Sequence, residues 1–381
     1  MNDIIYFDSS ATTRPYPEVL KTFDKVSFDD WGNPSSNHAL GNHASTVLEK
    51  ARKQIAKYLS VFPEEVIFTS GASEGNNLAI KGVAYHNKGW AKKIITTKAE
   101  HPSVLNVFRK MEEEGFTVIY LDYDKDGNLD LDQLKRNLDD RTSLVSIMAV
   151  NNEVGYVFNI KEAYEITKTH SKAVFHVDAT QAITKMEVDP EYYDLMTFSG
   201  HKIGGLKGSG VLVKKKDIML DEQIIGGSQE ENLRAGTSAV GLDASLATAI
   251  RISFSSMEER RKKAKELNDY LRKRLSEVDE VKIITPENNS TPFILNFALM
   301  EHKGSVVSEA LSNAGIYVST KSACSSKEAG YSYVIKDAGY SLIEASNSIR
   351  LSFSGTETLD QADIFIQKLK EILSQLKIKE I

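Results

Sequence analysis

Ala173-Val174-Phe175-His176-Val177-Asp178-Ala179-Thr180-Gln181, residues 173–181, is an apolar, β-branched run that ends abruptly in a carboxylate and small polar residues. Such a run reads as a buried strand, and its polar end as the place where the chain leaves a sheet. The pattern recurs on both sides. Glu65 to Thr69, Lys93 to Thr97, Thr117 to Leu121, Ser143 to Val150, Leu195 to Ser199 and Gly210 to Val213 are further short runs with polar or glycine ends, and helical patterns separate them from about residue 42 to 250. This alternation predicts an α/β unit around a mostly parallel central sheet. Open sheets of that kind bind ligands outside the carboxyl ends of their strands, so residues directly after a strand are the first functional candidates.

Beyond about residue 252 the pattern changes. A highly charged helix is predicted from Met257 to Val278, with Leu267, Leu271 and Leu275 recurring every fourth residue. Strand-like Phe293 to Phe297, helix-like Ser305 to Ala314, strand-like Ile316 to Ser319 and Ser348 to Phe353, and a last helix from Leu359 to Leu376 predict a smaller α+β domain. The expected division is a large domain over 1–251, with about the first 15 residues packing on the small domain, and a small domain over 252–381. A chain of 381 residues exceeds the length at which one core usually stops growing.

Composition excludes several functions. A net charge of -6 argues against binding nucleic acid through its phosphates as the main task, since that needs a basic face, and leaves room only for local basic patches. Hydrophobic residues make up 41% of the chain, yet no apolar run reaches the ~18 residues needed to span a bilayer, so no membrane association is expected. Acids at Asp3 and Asp8 stand where an export signal would be basic and then apolar, which predicts a cytoplasmic protein. The single cysteine, Cys324, has no internal disulfide partner and is therefore either a small buried side chain or a reactive thiol. No metal site is expected.

Three constellations carry chemistry. Val66 to Glu74 reads as strand, turn and helix, and small residues around Gly71, Ala72 and Ser73 would let backbone N–H groups meet a phosphate at a helix N-terminus; a plain cap by Ser70 or Ser73 is the ordinary alternative. Asp178 at a strand end could face a protonated pyridine nitrogen, as electron-sink chemistry on pyridoxal phosphate requires. Lys202, in Phe198-Ser199-Gly200-His201-Lys202 and followed by Gly204, Gly205, Gly208 and Gly210, has room to reach an aldehyde and hold it as a Schiff base.

Asp178-Ala179-Thr180-Gln181 with Ser199-Gly200-His201-Lys202 resembles the cofactor motifs of cysteine desulfurases, within the fold-type I pyridoxal-phosphate enzymes. The likeness runs from Tyr6-Phe7-Asp8-Ser9-Ser10-Ala11-Thr12-Thr13 through Gly32 to Ser36, Glu100-His101, Asn151 to Gly155 and Arg234-Ala235-Gly236-Thr237 to the last domain. The resemblance implies that Lys202 carries the cofactor, that Ser73, Ser199 and His201 bind its phosphate, that Thr237 completes the phosphate site from the neighbouring subunit of a homodimer, and that Ala72 and Asn152 are further cofactor-binding residues. It also implies that Gln181 bonds the phenolic oxygen and that His101 stacks on the ring and shuttles protons.

Ser322-Ala323-Cys324-Ser325-Ser326 lies in a polar stretch after a strand, where an accessible thiol is more natural than a core cysteine, and it matches the family's persulfide cysteine. Arg350, in Ser348-Ile349-Arg350-Leu351-Ser352, offers a planar fork for a substrate α-carboxylate and matches the family's anchoring arginine, with Asn152 beside it. By this resemblance L-cysteine is the substrate, alanine the product, and the sulfur passes to an iron–sulfur scaffold or a tRNA- or thiamine-pathway sulfurtransferase. The many polar residues after Cys324 are similar to the long-loop members that use separate acceptors. Thr320-Lys321, Leu206 and Ser354-Gly355-Thr356 depart from the family pattern. A selenocysteine lyase, another lyase or aminotransferase on this fold, and a scaffold without turnover are the alternatives.

Overall fold

The computed structural model describes residues 4–320 and 330–379. Twelve strands occur among them: β1 (Ile5–Tyr6), β2 (Val66–Thr69), β3 (Lys93–Thr97), β4 (Thr117–Leu121), β5 (Thr142–Met148), β6 (Val174–Asp178), β7 (Leu195–Ser199), β8 (Gly210–Lys214), β9 (Val281–Ile283), β10 (Ile294–Leu299), β11 (Ile316–Tyr317) and β12 (Ser348–Ser352). Seven form the central sheet in the order β2-β8-β7-β6-β5-β3-β4. All its pairings are parallel except the two made by β8. The expected mostly parallel α/β sheet is thus present. Because β8 runs against both neighbours, β2 and β7 share one direction, and the carboxyl ends of β2, β3, β5, β6 and β7 all open on the same edge.

Burial follows the strand period. Phe68, Ile95, Val145, Phe175, Val177, Phe198 and Val211 belong to one apolar cluster, while Ile67, Ile94, Leu144, Leu195 and Leu212 belong to another, so alternate residues face opposite sides of the sheet. Helices cover both faces for reasons visible in their spacing. Ala39–Leu59 buries Ala44, Leu48, Ala51, Ile55 and Leu59 at intervals of three and four, and it ends at Ser60, whose left-handed conformation turns its N–H back to Ala56 O.

A third cluster joins Leu267, Leu271 and Leu275 of the helix Met257–Ser276 to Leu295, Phe297, Ile349, Leu351, Phe365 and Leu369 around the three-stranded antiparallel sheet β12-β10-β9. Ile5 and Phe7 belong to the same cluster, and β1 pairs in parallel with β11. The short strand β9 has no counterpart in the sequence reading, because Val281-Lys282-Ile283 is too brief and too exposed to alternate visibly. Among the described residues no helix is long and apolar enough to cross a membrane.

Candidate active site

Strand ends build the site. Thr69 at the end of β2 leads into Gly71, whose φ of 146° is open to glycine alone, and the helix Ala72–Asn87 starts immediately after it. A Cβ on Gly71 would come 3.1 Å from Ser199 Oγ, and one on Gly210 would come 2.5 Å from Gly71 Cα, so two glycines bring β2, β7 and β8 together at this edge. Neither Ser70 nor Ser73 caps this helix. Its first free N–H, that of Ala72, donates to Ser199 Oγ at 2.7 Å, which places the β7 serine at a helix N-terminus and its positive partial charge.

β6 delivers Asp178 to the same edge. Its Oδ2 accepts from Asn76 Nδ2 at 2.9 Å and its Oδ1 from Thr180 N–H at 3.0 Å, which orients the buried carboxylate. His101 ends the connection from β3 and caps the helix Pro102–Glu113, its Nδ1 accepting from Ser103 N–H at 3.1 Å. Burial and the nearby Lys202 hold His101 below the ordinary histidine range, against the opposing pull of Asp178. Burial, with Lys202 and Lys207, lowers His201 to about 4, so its ring is neutral, and its Nδ1 lies 3.1 Å from Thr12 Oγ1. Lys202 Nζ donates to the carbonyls of Ser10 and Ala11, and Thr13 N–H and Gly204 N–H complete the clamp between the N-terminal segment and the lysine loop.

Arg350 reaches the site from β12. Its Nη1 donates to Asn152 O at 2.8 Å and its Nη2 to Asp8 Oδ1 at 2.6 Å. Ala72, Ser73, His101, Asn152, Asp178, Gln181, Ser199, His201, Lys202 and Arg350 all line one cavity of about 230 Å³. Three buried polar atoms in its lining, Ser10 Oγ, Thr180 Oγ1 and Arg350 Nε, have no hydrogen-bond partner among the described residues. Buried polar groups left unpaired are costly, so these suit a polar ligand. A helix N-terminus, a lysine amine and an oriented carboxylate in one cavity also match the phosphate, aldehyde and ring nitrogen of pyridoxal phosphate.

One expected residue lies elsewhere, and another falls outside the described residues. Thr237 is exposed and does not line the cavity. Its loop is strained, with Glu230, Glu231 and Asn232 at φ of 46°, 56° and 67°; such residues cost of order 1–3 kcal/mol each. Glu230 holds that conformation through Arg52, at 2.8 Å on both oxygens, and through Phe68 N–H, while Arg234 pairs with Glu74 at 2.9 Å. Cys324 lies outside the described residues, but both flanks of its segment meet the site. Ser319 exchanges backbone hydrogen bonds with Arg350, and Tyr333 OH donates to Glu100 O, beside His101, at 2.6 Å.

Several contributors escaped the sequence reading. Asn76 orients Asp178, Asp8 pairs with Arg350, and Glu100 is fully buried, its carboxyl raised to about 8 by burial and by Asp178. Glu100 was visible only as the neighbour of His101, and Asn76 follows the Gly71 turn by one helical turn; nothing in the chain marks Asp8 as a partner of Arg350.

The chain matches the model of the family described as Aminotransferase class-V over residues 5–365. It is 40% identical over 97% of both chains to a protein named "NifS/IcsS protein homolog" from Lactobacillus delbrueckii subsp. bulgaricus. It is 36% identical to "Cysteine desulfurase IscS" from Clostridium botulinum, covering 98% of this chain and 96% of that one. Among solved structures it resembles a "NIFS-LIKE PROTEIN" with a TM-score of 0.92 and 36% identity, over 97% of this chain and 99% of that one. Another, titled "SspA in complex with cysteine", superposes with a TM-score of 0.82 at 30% identity, over 93% and 100% of the two chains. A match that spans all three sheets, the strand-end cavity and the segment around Cys324 leaves no part of the site outside the likeness: the chain belongs to the class-V aminotransferase family.

Proposed function

We infer that this chain is a pyridoxal-phosphate-dependent cysteine desulfurase, converting L-cysteine to L-alanine with its sulfur held as a persulfide on Cys324. The observation that carries the reading is convergence: Lys202, Asp178, His101 and Arg350 share one cavity, and the chain enters and leaves the Cys324 segment at Arg350 and beside His101.

Lys202 would hold the cofactor covalently, Asp178 would face the pyridine nitrogen, and Gln181 the phenolic oxygen. The phosphate would meet Ala72, Ser73, Ser199, His201 and Thr237 of the partner subunit. The cofactor supplies an electron sink for charge developing on the substrate α-carbon. Arg350 and Asn152 anchor the substrate carboxylate, and the unpaired Arg350 Nε supports this assignment. The Lys202 amine would remove the α-proton, and His101, held below the ordinary histidine range by burial, would relay protons at the substrate. The Cys324 thiolate then attacks the substrate sulfur; an S–S bond forms, the C–S bond breaks, and its electron pair moves to the substrate β-carbon. Incubation with L-cysteine and a reducing thiol is expected to give alanine and sulfide in equal amounts. Alanine without sulfide, or neither, refutes the assignment.

The sulfur acceptor is a separate protein, an iron–sulfur scaffold or a tRNA- or thiamine-pathway sulfurtransferase, and the setting is cytoplasmic. The domains divide near 251/252; the cluster around Leu267, Phe297 and Phe365 lies on the small-domain side, while Ile284, Ala298, Val334, Ile335 and Ala345 pack with the large-domain cluster across the boundary. The working unit is a homodimer. Phe28 and Trp31 are 83% and 69% exposed, and Trp31 lines the same surface hollow as Thr237; exposed aromatics beside a rigidly held loop favour a second copy. Sedimentation is expected to give twice 42.4 kDa, and Thr237→Ala to weaken cofactor binding about tenfold, the loss of one hydrogen bond to a charged group. A fully active monomer contradicts both.

A further inference from the structure

Beneath Gln181 lies a buried amine that the reaction above does not use. Lys185 is 4% exposed, and its Nζ donates to Gln181 Oε1 at 2.9 Å. The other end of the same amide, Nε2, donates to Ser10 O at 3.0 Å in the wall of the Lys202 cavity. Burial first, and then the cations Lys202, Arg260 and Arg350, pull this amine from the ordinary lysine range down to about 7. The other titratable groups lining the cavity that Lys185 shares with Lys202 are Tyr6, Arg14, Tyr16, Arg260 and Glu357.

A lysine without a carboxylate partner is a costly thing to bury, and an apolar side chain of the same volume is often more stable in its place. The backbone beside it is strained as well. Thr184, a β-branched residue, stands at a φ of 60°, and its carbonyl is held by Arg260 Nη2 at 2.6 Å. Strain that neighbours over-determine collects at working sites.

We propose that Lys185 is a positioning residue: by donating to Gln181 Oε1 it decides which end of that amide faces the cavity, so that Nε2 is the donor offered to the cofactor's phenolic oxygen. The two ends of a side-chain amide are nearly equal in shape, and a neighbour decides between them. An ammonium group only donates, so it selects the oxygen and turns the NH₂ the other way. The proposal rests on the reading above that the cofactor sits on Lys202 with Gln181 at its phenolic oxygen.

A double-mutant cycle on cofactor affinity, run at pH 6, below the value of about 7 to which burial lowers the amine, tests it. Lys185→Met and Gln181→Leu are each expected to weaken pyridoxal phosphate binding about tenfold, and the double variant by about the same tenfold. The visible absorption maximum of the bound cofactor is expected to move identically in all three. Losses that multiply to about a hundredfold, or an unchanged Lys185→Met, overturn the proposal. Removing a buried amine that has no carboxylate partner among the described residues is expected to raise the melting temperature of the cofactor-free protein, and Lys185→Leu carries the cycle if the methionine variant does not fold. Wild-type protein that forms no borohydride-stable adduct on Lys202 overturns the cofactor reading and this proposal together. Multiplying losses with the adduct intact overturn the role of Lys185 alone.

Discussion

Cys324→Ala is expected to remain yellow and to change its visible spectrum on adding L-cysteine, while alanine formation falls by about a thousandfold or more, as removal of a nucleophile does. The two halves separate because different groups perform them. On the proposed reading Lys202, Asp178 and Arg350, which line one cavity, hold cofactor and substrate, whereas sulfur would leave only when a thiolate accepts it. Selenocysteine should lose less, since selenium departs more readily than sulfur. Alanine release and bound persulfide are the quantities to measure. Near-wild-type alanine from L-cysteine would return Cys324 to an ordinary thiol and bring the lyase reading forward.

The second large effect is expected at Lys202. In wild-type protein, borohydride should fix the cofactor on this lysine and peptide mapping should recover it there. Lys202→Ala should still retain the cofactor non-covalently, because Asp178 and the Ser199-capped helix terminus are unchanged, yet lose activity by about a thousandfold or more through absence of the proton acceptor. The Lys202 clamp on Ser10 and Ala11 also goes, so the N-terminal segment should become easier to proteolyse. Recovery of the reduced adduct on Lys185 or any other lysine would show that the wrong amine was chosen.

Much of the site was legible because parallel strands impose order on it. Each strand end places its next few residues at one sheet edge, so Asp178, Ser199 and Lys202 could be read as neighbours from periodicity alone. The plain cap by Ser70 or Ser73, the ordinary alternative, does not form: Ser199, 127 positions further on, accepts the Ala72 N–H. Local capping rules count near neighbours, and here a distant strand supplied the oxygen. The direction of β8 was similarly hidden, since Gly210 to Val213 reads the same in either orientation.

The chain by itself determined the alternating α/β architecture, the family likeness, and the chemical groups at the strand ends, because these depend on side-chain period and residue type within short windows. Tertiary structure alone decided the pairing of Asp8 with Arg350 across 342 positions, the burial that raises Glu100, and the contact that sets Lys185 beneath Gln181. Lys185 and Gln181 are only four residues apart, yet what matters there is the exclusion of water and the ring of cations from Lys202, Arg260 and Arg350. Electrostatic character is set by every charge and surface within reach in space, and those come from distant parts of the chain only when it folds.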